Sequence, residues 1–397
     1  MISKRMQKLV NNNSVIREMF EEGKRLKNKY GEEKVFDFSL GNPSVQPPEQ
    51  VNDAIRKSLE IKNIHNYMNN SGYEDVRQII AESLNNKFNT KYSNKNIIMS
   101  VGAAGGLNVT LEAILNPDEE IIVFVPYFME YKNYIENYNG NIVEVLCDEN
   151  FEPDMKDFEK KISPNTKAVI VNSPNNPSGT VYSESTIIEL TNILKRKEKE
   201  YNKAIYLISD EPYREIVYDG INVPYLTHYY NDTIVIYCYS KSLSLPGERI
   251  GFIAVPEEAK DFENLIQALS ISTRILGFVN APSLIQRAIA ECVDLTCDMS
   301  EYEKNRDILY NGLINCGYEC KKPQGTFYLF LKSPIQDEKE FCNIAKKYNI
   351  LMVPGSSFKK PGYVRLAFCT DTKTIENSIP RFEELMKQIK TGMTKGV

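Results

Sequence analysis

A lysine, Lys241, follows Ser240 just beyond the apolar run Ile234 to Tyr237, while a carboxylate and a phenol, Asp210 and Tyr213, follow the run Ile205 to Ile208. Three more apolar runs end in the same way. Ala168 to Val171 leads into Asn172 to Gly179 with the amide Asn176, and Ile121 to Val125 leads into Pro126-Tyr127-Phe128 with a flat ring. Asn96 to Val101 leads into Gly102-Ala103-Ala104-Gly105-Gly106, where backbone N–H groups opening a helix favour an anion. Singly these are ordinary strand ends, which are rich in Gly, Pro, Asn and Asp. Together, an amine, an acid, a phenol, an amide, a ring and an anion cradle are the parts that hold a phosphorylated aromatic aldehyde. An amine that attacks an aldehyde must be neutral, so such a site has to lower a lysine pKa that starts near ~10.4.

The elements behind these residues follow from periodicity. β-Branched runs of this length, separated by helix-sized spacers such as Glu184 to Tyr201, imply strands buried on both faces of a mainly parallel sheet. Ligands of such sheets bind beyond the carboxyl ends of the strands, where the residues above collect. A leading helix is expected from Ser14 to Tyr30, breaking at Gly31, followed by a strand from Val35 to Leu40 and a Pro-rich turn through Gly41-Asn42-Pro43 and Pro47-Pro48. The last hundred or so residues change character: a long helical stretch from Leu284 to Asn315, a strand in Gly325 to Leu331, a helix near Asp337 to Tyr348, and a strand in Tyr363 to Phe368 before a final helix. The expected fold class is α/β, with a large domain over 44–285, a small α+β domain over 286–397, and an N-terminal segment, 1–43, joining the small domain.

Composition narrows the chemistry. The 397 residues are 42% apolar and carry 48 basic against 53 acidic side chains with no long basic run, which argues against nucleic-acid or membrane partners. Eight cysteines without a CxxC pair, and an N-terminus without an apolar leader, fit a reduced, cytoplasmic protein. Only His65 and His228 are available for a triad or a metal, neither lies at ligand spacing, and no metal site is expected.

Four ordered stretches, Ser173-Pro174-Asn175-Asn176-Pro177-Ser178-Gly179, Asp210-Glu211-Pro212-Tyr213, Ser240-Lys241 with Pro246-Gly247-Glu248-Arg249-Ile250-Gly251, and Tyr363-Val364-Arg365-Leu366, resemble the class I and II aminotransferases of pyridoxal-phosphate fold type I, of the aspartate-aminotransferase-like kind. The resemblance runs from Gly41 to Arg365. It implies pyridoxal 5'-phosphate held as a Schiff base on Lys241, Asp210 paired with the pyridine nitrogen, and Asn176 and Tyr213 on the phenolic oxygen. It places the phosphate on Arg249 and the N–H groups of Ala103 and Ala104, Phe128 on the ring, and Ser240 among the cofactor-binding residues. Arg365 takes the substrate α-carboxylate, since a guanidinium fork matches a carboxylate bidentately, with Gly41 and Asn176 beside it. Tyr67 resembles the tyrosine that reaches the neighbouring subunit's phosphate, which implies a homodimer with shared sites. Two departures stand out: Cys238 occupies a place where the family often has a phosphate-binding Ser or Thr, and Phe128 stands where the best-known aspartate subgroup has Trp.

The expected reaction is transfer of an amino group from an L-amino acid to a 2-oxo acid with ping-pong kinetics. The same residues can serve a C–S β-lyase, another elimination enzyme or a cyclising synthase, because fold and cofactor do not fix reaction type. A cofactor-binding transcription regulator would need a DNA-binding module, and about forty residues precede Gly41. For the donor, aspartate or another dicarboxylic amino acid is expected, with Arg274 in Ser272-Thr273-Arg274-Ile275 meeting the distal carboxylate and Arg17 as the other candidate.

Overall fold

A computed structural model of the chain describes residues 2–11 and 15–393. A short strand, β1 (Phe36–Asp37), is followed by seven that form the central sheet: β2 (Ile97–Ser100), β3 (Glu120–Phe124), β4 (Asn141–Val145), β5 (Thr166–Asn172), β6 (Tyr206–Asp210), β7 (Thr233–Cys238) and β8 (Gly251–Ala254). Their order is β2-β8-β7-β6-β5-β3-β4. All pairings are parallel except the two that β8 makes with β2 and β7. Five of the seven strands are the apolar runs picked out above. The other two are less apparent in sequence for physical reasons: β4 is a half-exposed edge strand, and β8 is only four residues long and begins in a turn.

Helices cover both faces. Gly102–Ile114 and Phe262–Ile275 pack with Ile98, Ile121, Ile208 and Ile236 on one side. On the other, Glu74–Phe88 and Ser283–Cys292 pack with Ile97, Val235 and Phe252, and Glu184–Tyr201 packs with Val169 and Leu207. Such two-sided burial is why these strands read as continuous apolar runs.

A second, antiparallel sheet has the order β12-β13-β10-β9, built from β9 (Glu319–Cys320), β10 (Tyr328–Lys332), β12 (Val353–Pro354) and β13 (Tyr363–Ala367). The strand β11 (Ile350–Leu351) instead pairs in parallel with β1. Beyond β1 the N-terminal segment stays pinned to this sheet. Ala367 donates to Phe38 O at 2.8 Å, and Arg365 Nη2 donates to Ser39 O at 2.9 Å. Gly41 is thereby held against the second sheet.

Two expectations change. The stretch Leu284 to Asn315 is two helices, Ser283–Cys292 and Ser300–Asn315, because polar groups between them divert the backbone: Cys297 N donates to Ser242 O at 2.7 Å and Ser300 N donates to Asp298 Oδ1 at 2.9 Å. The Val35 to Leu40 strand shortens to Phe36–Asp37, its continuation bonding to the end of β13 instead. The leading helix runs Val15–Tyr30; Ser14 lies outside the described residues, as does the side chain of Arg17. Among the described residues no helix is long and apolar enough to cross a membrane, and no cluster of His, Cys, Asp and Glu could hold a metal.

Candidate active site

The carboxyl ends of β2, β5, β6 and β7 share one edge of the sheet, and the antiparallel β8 brings its amino end there too, with Gly251 in register with both Ser100 and Cys238. Arg249, two residues before β8, reaches this edge by preceding a strand rather than following one. Its guanidinium lies against the start of the helix Gly102–Ile114: at Gly102, where φ is +74°, an added Cβ would stand 2.7 Å from Arg249 Nη2. Only glycine permits that approach. Arg249 Nη1 donates to Pro246 O at 2.8 Å and the side chain makes no ion pair with a described residue, so a cation and a helix N-terminus face the same space.

That space is a cavity of about 310 Å³. It is lined by Gly41, Ala103, Ala104, Phe128, Asn176, Asp210, Tyr213, Ser240, Lys241, Arg249 and Arg365, which are the site residues singled out from sequence apart from Tyr67, Arg274 and Arg17, the last lying outside the described side chains. Tyr67 and Arg274 lie elsewhere on the surface: Tyr67 is 88% exposed, and Arg274 is exposed near the end of Phe262–Ile275. Cys238 lines the cavity.

Asp210 closes β6. Its main-chain O accepts from Asn172 Nδ2 at 3.0 Å, and Asn172 Oδ1 accepts from Asn176 N at 2.8 Å, so one asparagine ties the ends of β5 and β6 to the turn carrying Asn176. The carboxylate accepts from Tyr131 OH through Oδ2, while Oδ1 is buried without a partner among the described residues. Burial pushes its pKa from 3.8 up to about 7, against the Tyr131 hydrogen bond.

Lys241 donates from Nζ to Gly41 O at 3.0 Å. Burial holds its pKa below the ordinary lysine value; Arg249 and Arg365 press the same way, against the Cys369 and Cys238 thiols. The direction is the one a nucleophilic amine requires. Arg365, on β13, is 3% exposed; Nη1 donates to Asn176 Oδ1 at 3.1 Å and Nη2 to Ser39 O at 2.9 Å, while Nε is buried and unpartnered. Because Asn176 Oδ1 is taken by Arg365, the amide's Nδ2 donors remain for another acceptor.

Two aromatic lining residues were missed from sequence. Tyr131 sits one helical turn after Phe128, its ring perpendicular to that of Phe128 at 5.7 Å, and that spacing was the available signal. Tyr328 begins β10 and places its hydroxyl 3.2 Å from that of Tyr213. Nothing local marks it, since an aromatic in an apolar strand is usually core.

The arrangement fits a phosphorylated pyridine aldehyde. A buried carboxylate oxygen without a partner suits a protonated ring nitrogen, an arginine beside a helix N-terminus suits a phosphate, and a depressed amine suits the aldehyde.

The sequence pattern described as aminotransferase class I and II matches residues 33–382. A probable aspartate aminotransferase of Methanocaldococcus jannaschii is 30% identical over 365 residues, covering 88% of this chain and 93% of that protein. Among solved structures, an amino transferase from Eubacterium rectale superposes with a TM-score of 0.95 at 44% identity, covering 98% of this chain and 99% of that one. The aspartate aminotransferase of Thermus thermophilus with maleate does so with a TM-score of 0.86 at 25% identity, covering 97% and 99%.

Proposed function

This chain belongs to the family of class I and II aminotransferases and moves amino groups between amino acids and 2-oxo acids with pyridoxal phosphate, and on that premise we propose that Lys241 carries the cofactor and that the donor is a dicarboxylic amino acid. When bound, the cofactor supplies an electrophilic carbon and an electron-withdrawing ring. Asp210 Oδ1 holds the proton on the ring nitrogen. Phe128 packs on the ring, and Asn176 and Tyr213 donate to its phenolic oxygen. Ala103 and Ala104 N–H, Ser240 and Arg249 hold the phosphate. Arg365 pairs with the substrate α-carboxylate, adding its unpartnered Nε, and Gly41 leaves room beside it. Lys241 Nζ, whose pKa burial lowers, would be the base that takes the substrate's Cα proton. The observation that carries these roles is that Asp210 and Arg365, each with a buried unpartnered atom, line one cavity together with Lys241.

Among the described residues the cavity offers three cations, Lys241, Arg249 and Arg365, each already assigned. A distal carboxylate therefore needs a fourth, and we assign it to the partner subunit's Arg274, in a homodimer whose subunits also exchange Tyr67 onto each other's phosphate. Tyr67, Ile271, Ile275 and Phe278 are exposed together with Arg274, on a face that the hydrogen bond from Asn70 Nδ2 to Val279 O, 2.6 Å, holds as one unit. It adjoins the phosphate end: an added Cβ on Gly105 would lie 4.0 Å from Phe278. The related Thermus enzyme was solved with maleate, itself a dicarboxylate. The division into 1–43, 44–285 and 286–397 is supported by one core joining Phe36 and Phe38 to Leu329 and Leu366, but the helix Ser283–Cys292, which crosses the 285/286 boundary, packs on the central sheet and belongs with the large domain. A cytoplasmic location is supported by eight free cysteines.

A donor panel with 2-oxoglutarate tests both parts. Arg274→Ala should lower kcat/KM for aspartate by roughly a hundredfold, the scale of leaving a buried carboxylate unpaired, and leave alanine unchanged. Lys241→Ala should lose transfer from every donor, and borohydride should no longer fix the cofactor to the chain. An Arg274→Ala loss shared equally by all donors would remove the dicarboxylate assignment.

A further inference from the structure

Tyr328 is held in place from three sides. Its N donates to Thr326 Oγ1 at 3.1 Å, and Thr326 is itself bonded to the loop after β6, donating from N to Ile216 O at 2.9 Å and accepting at its O from Tyr218 OH at 2.6 Å. That loop carries Tyr213. The Tyr328 ring lies 4.3 Å from Cζ of Arg365, whose other side meets Phe358 at 4.8 Å. Its hydroxyl rests on Gly41, where any Cβ would overlap it, and Gly41 O accepts from Lys241 Nζ. One phenol thus touches the supports of the substrate arginine, the lysine and Tyr213.

The hydroxyl pair matters because Tyr213 is buried and has no other side-chain hydrogen-bond partner among the described residues. The titratable and charged groups facing Tyr213 are Tyr328, Arg365, Cys369 and Tyr131. A guanidinium over the face of the Tyr328 ring makes that phenol the better proton donor of the pair. Either hydroxyl can donate across this contact; with Tyr328 as the donor, the Tyr213 proton is left for the cavity.

We infer that Tyr328 is a positioning residue whose hydroxyl orients the Tyr213 proton toward the cofactor's phenolic oxygen, so that binding a carboxylate on Arg365 and tuning the cofactor share one side chain. This rests on the roles proposed for Tyr213 and Arg365. A donor on the phenolic oxygen lowers the pH midpoint of the resting enzyme's visible absorbance, and losing the donor raises it.

The test is an absorbance titration of the holoenzyme with Tyr328→Phe, Tyr213→Phe and the double variant, alongside KM and kcat. Tyr328→Phe keeps the ring and its contact with Arg365. Tyr213→Phe should raise the midpoint by about one pH unit or more, Tyr328→Phe by roughly half a unit, and the double variant no further than Tyr213→Phe alone, since one acts through the other. KM for Tyr328→Phe should stay within about twofold while kcat falls. A midpoint that moves for Tyr213→Phe but not for Tyr328→Phe would overturn the inference alone. One that moves for neither removes the Tyr213 role and the inference with it. Additive shifts in the double variant would show the two phenols acting separately, against it.

Discussion

Asp210 and Glu211 are consecutive carboxylates at the end of β6, exposed by 4% and 2%, and they have opposite fates. Successive side chains of an extended chain point to opposite faces. On one face Glu211 accepts from Ser209 Oγ at 2.6 Å and from Arg214 Nε, while Arg214 donates its remaining groups to Val223 O and Pro224 O and lies 5.1 Å from the rings of both Phe88 and Tyr225. The cavity beside them is about 20 Å³, room for roughly one water. On the other face Asp210 has one phenol, one oxygen without a partner, and a cavity of about 310 Å³ in front of it. Burial is common to both, so burial does not mark the carboxylate proposed to work. The unmet hydrogen-bonding capacity beside an open volume does.

Exchanging each acid for its amide sharpens the contrast. Asp210→Asn should slow Cα proton removal by several orders of magnitude in a stopped-flow half-reaction, because a neutral amide cannot hold a proton on the ring nitrogen, while Glu211→Gln should leave that rate within a fewfold. Equal slowing in both would end the distinction.

The second contrast is one of pH. In cofactor-free protein the folded Asp210 keeps its proton up to about pH 7, whereas the unfolded one loses it near 3.8. The proton favours the folded state, so this contribution is whole below about pH 4 and is lost as pH rises through 7, by up to about 4 kcal/mol. Thermal or urea unfolding at fixed protein concentration should show wild type losing stability across that window relative to Asp210→Asn. Identical pH slopes would mean that Asp210 is solvated.

The smallest effect belongs to the paired acid. Glu211→Gln removes the carboxylate hydrogen-bonded to the buried Arg214, leaving it the more distant Glu215, and should lower unfolding free energy by about 3 kcal/mol, with no change in the absorbance of the holoenzyme. A variant as stable as wild type would mean that the ion pair contributes nothing net.

Much of the site is legible in sequence because strand ends are local. Asn172 to Gly179, Asp210 to Tyr213 and Ser240-Lys241 each follow a recognisable apolar run, and a parallel sheet must bring such ends to one edge. The arrival of Arg249 is different. It was recognised by motif, but its place depends on β8 running antiparallel, and four residues between turns give too weak a signal for that. Tyr67 and Arg274 are legible as residue types, and the roles proposed for them need a second subunit.

The sequence by itself determined the fold class and the family, and it singled out a lysine, an acid and two arginines that line one cavity, since each sits in a short run whose backbone chemistry is written in its neighbours. Only the tertiary structure decided that Tyr131 would take one oxygen of Asp210 and leave the other bare, and that Tyr328, 115 residues from Tyr213, would meet its hydroxyl. Those contacts join segments whose approach is set by the packing of two sheets and a clamped N-terminal strand, and no local periodicity records how distant surfaces will meet.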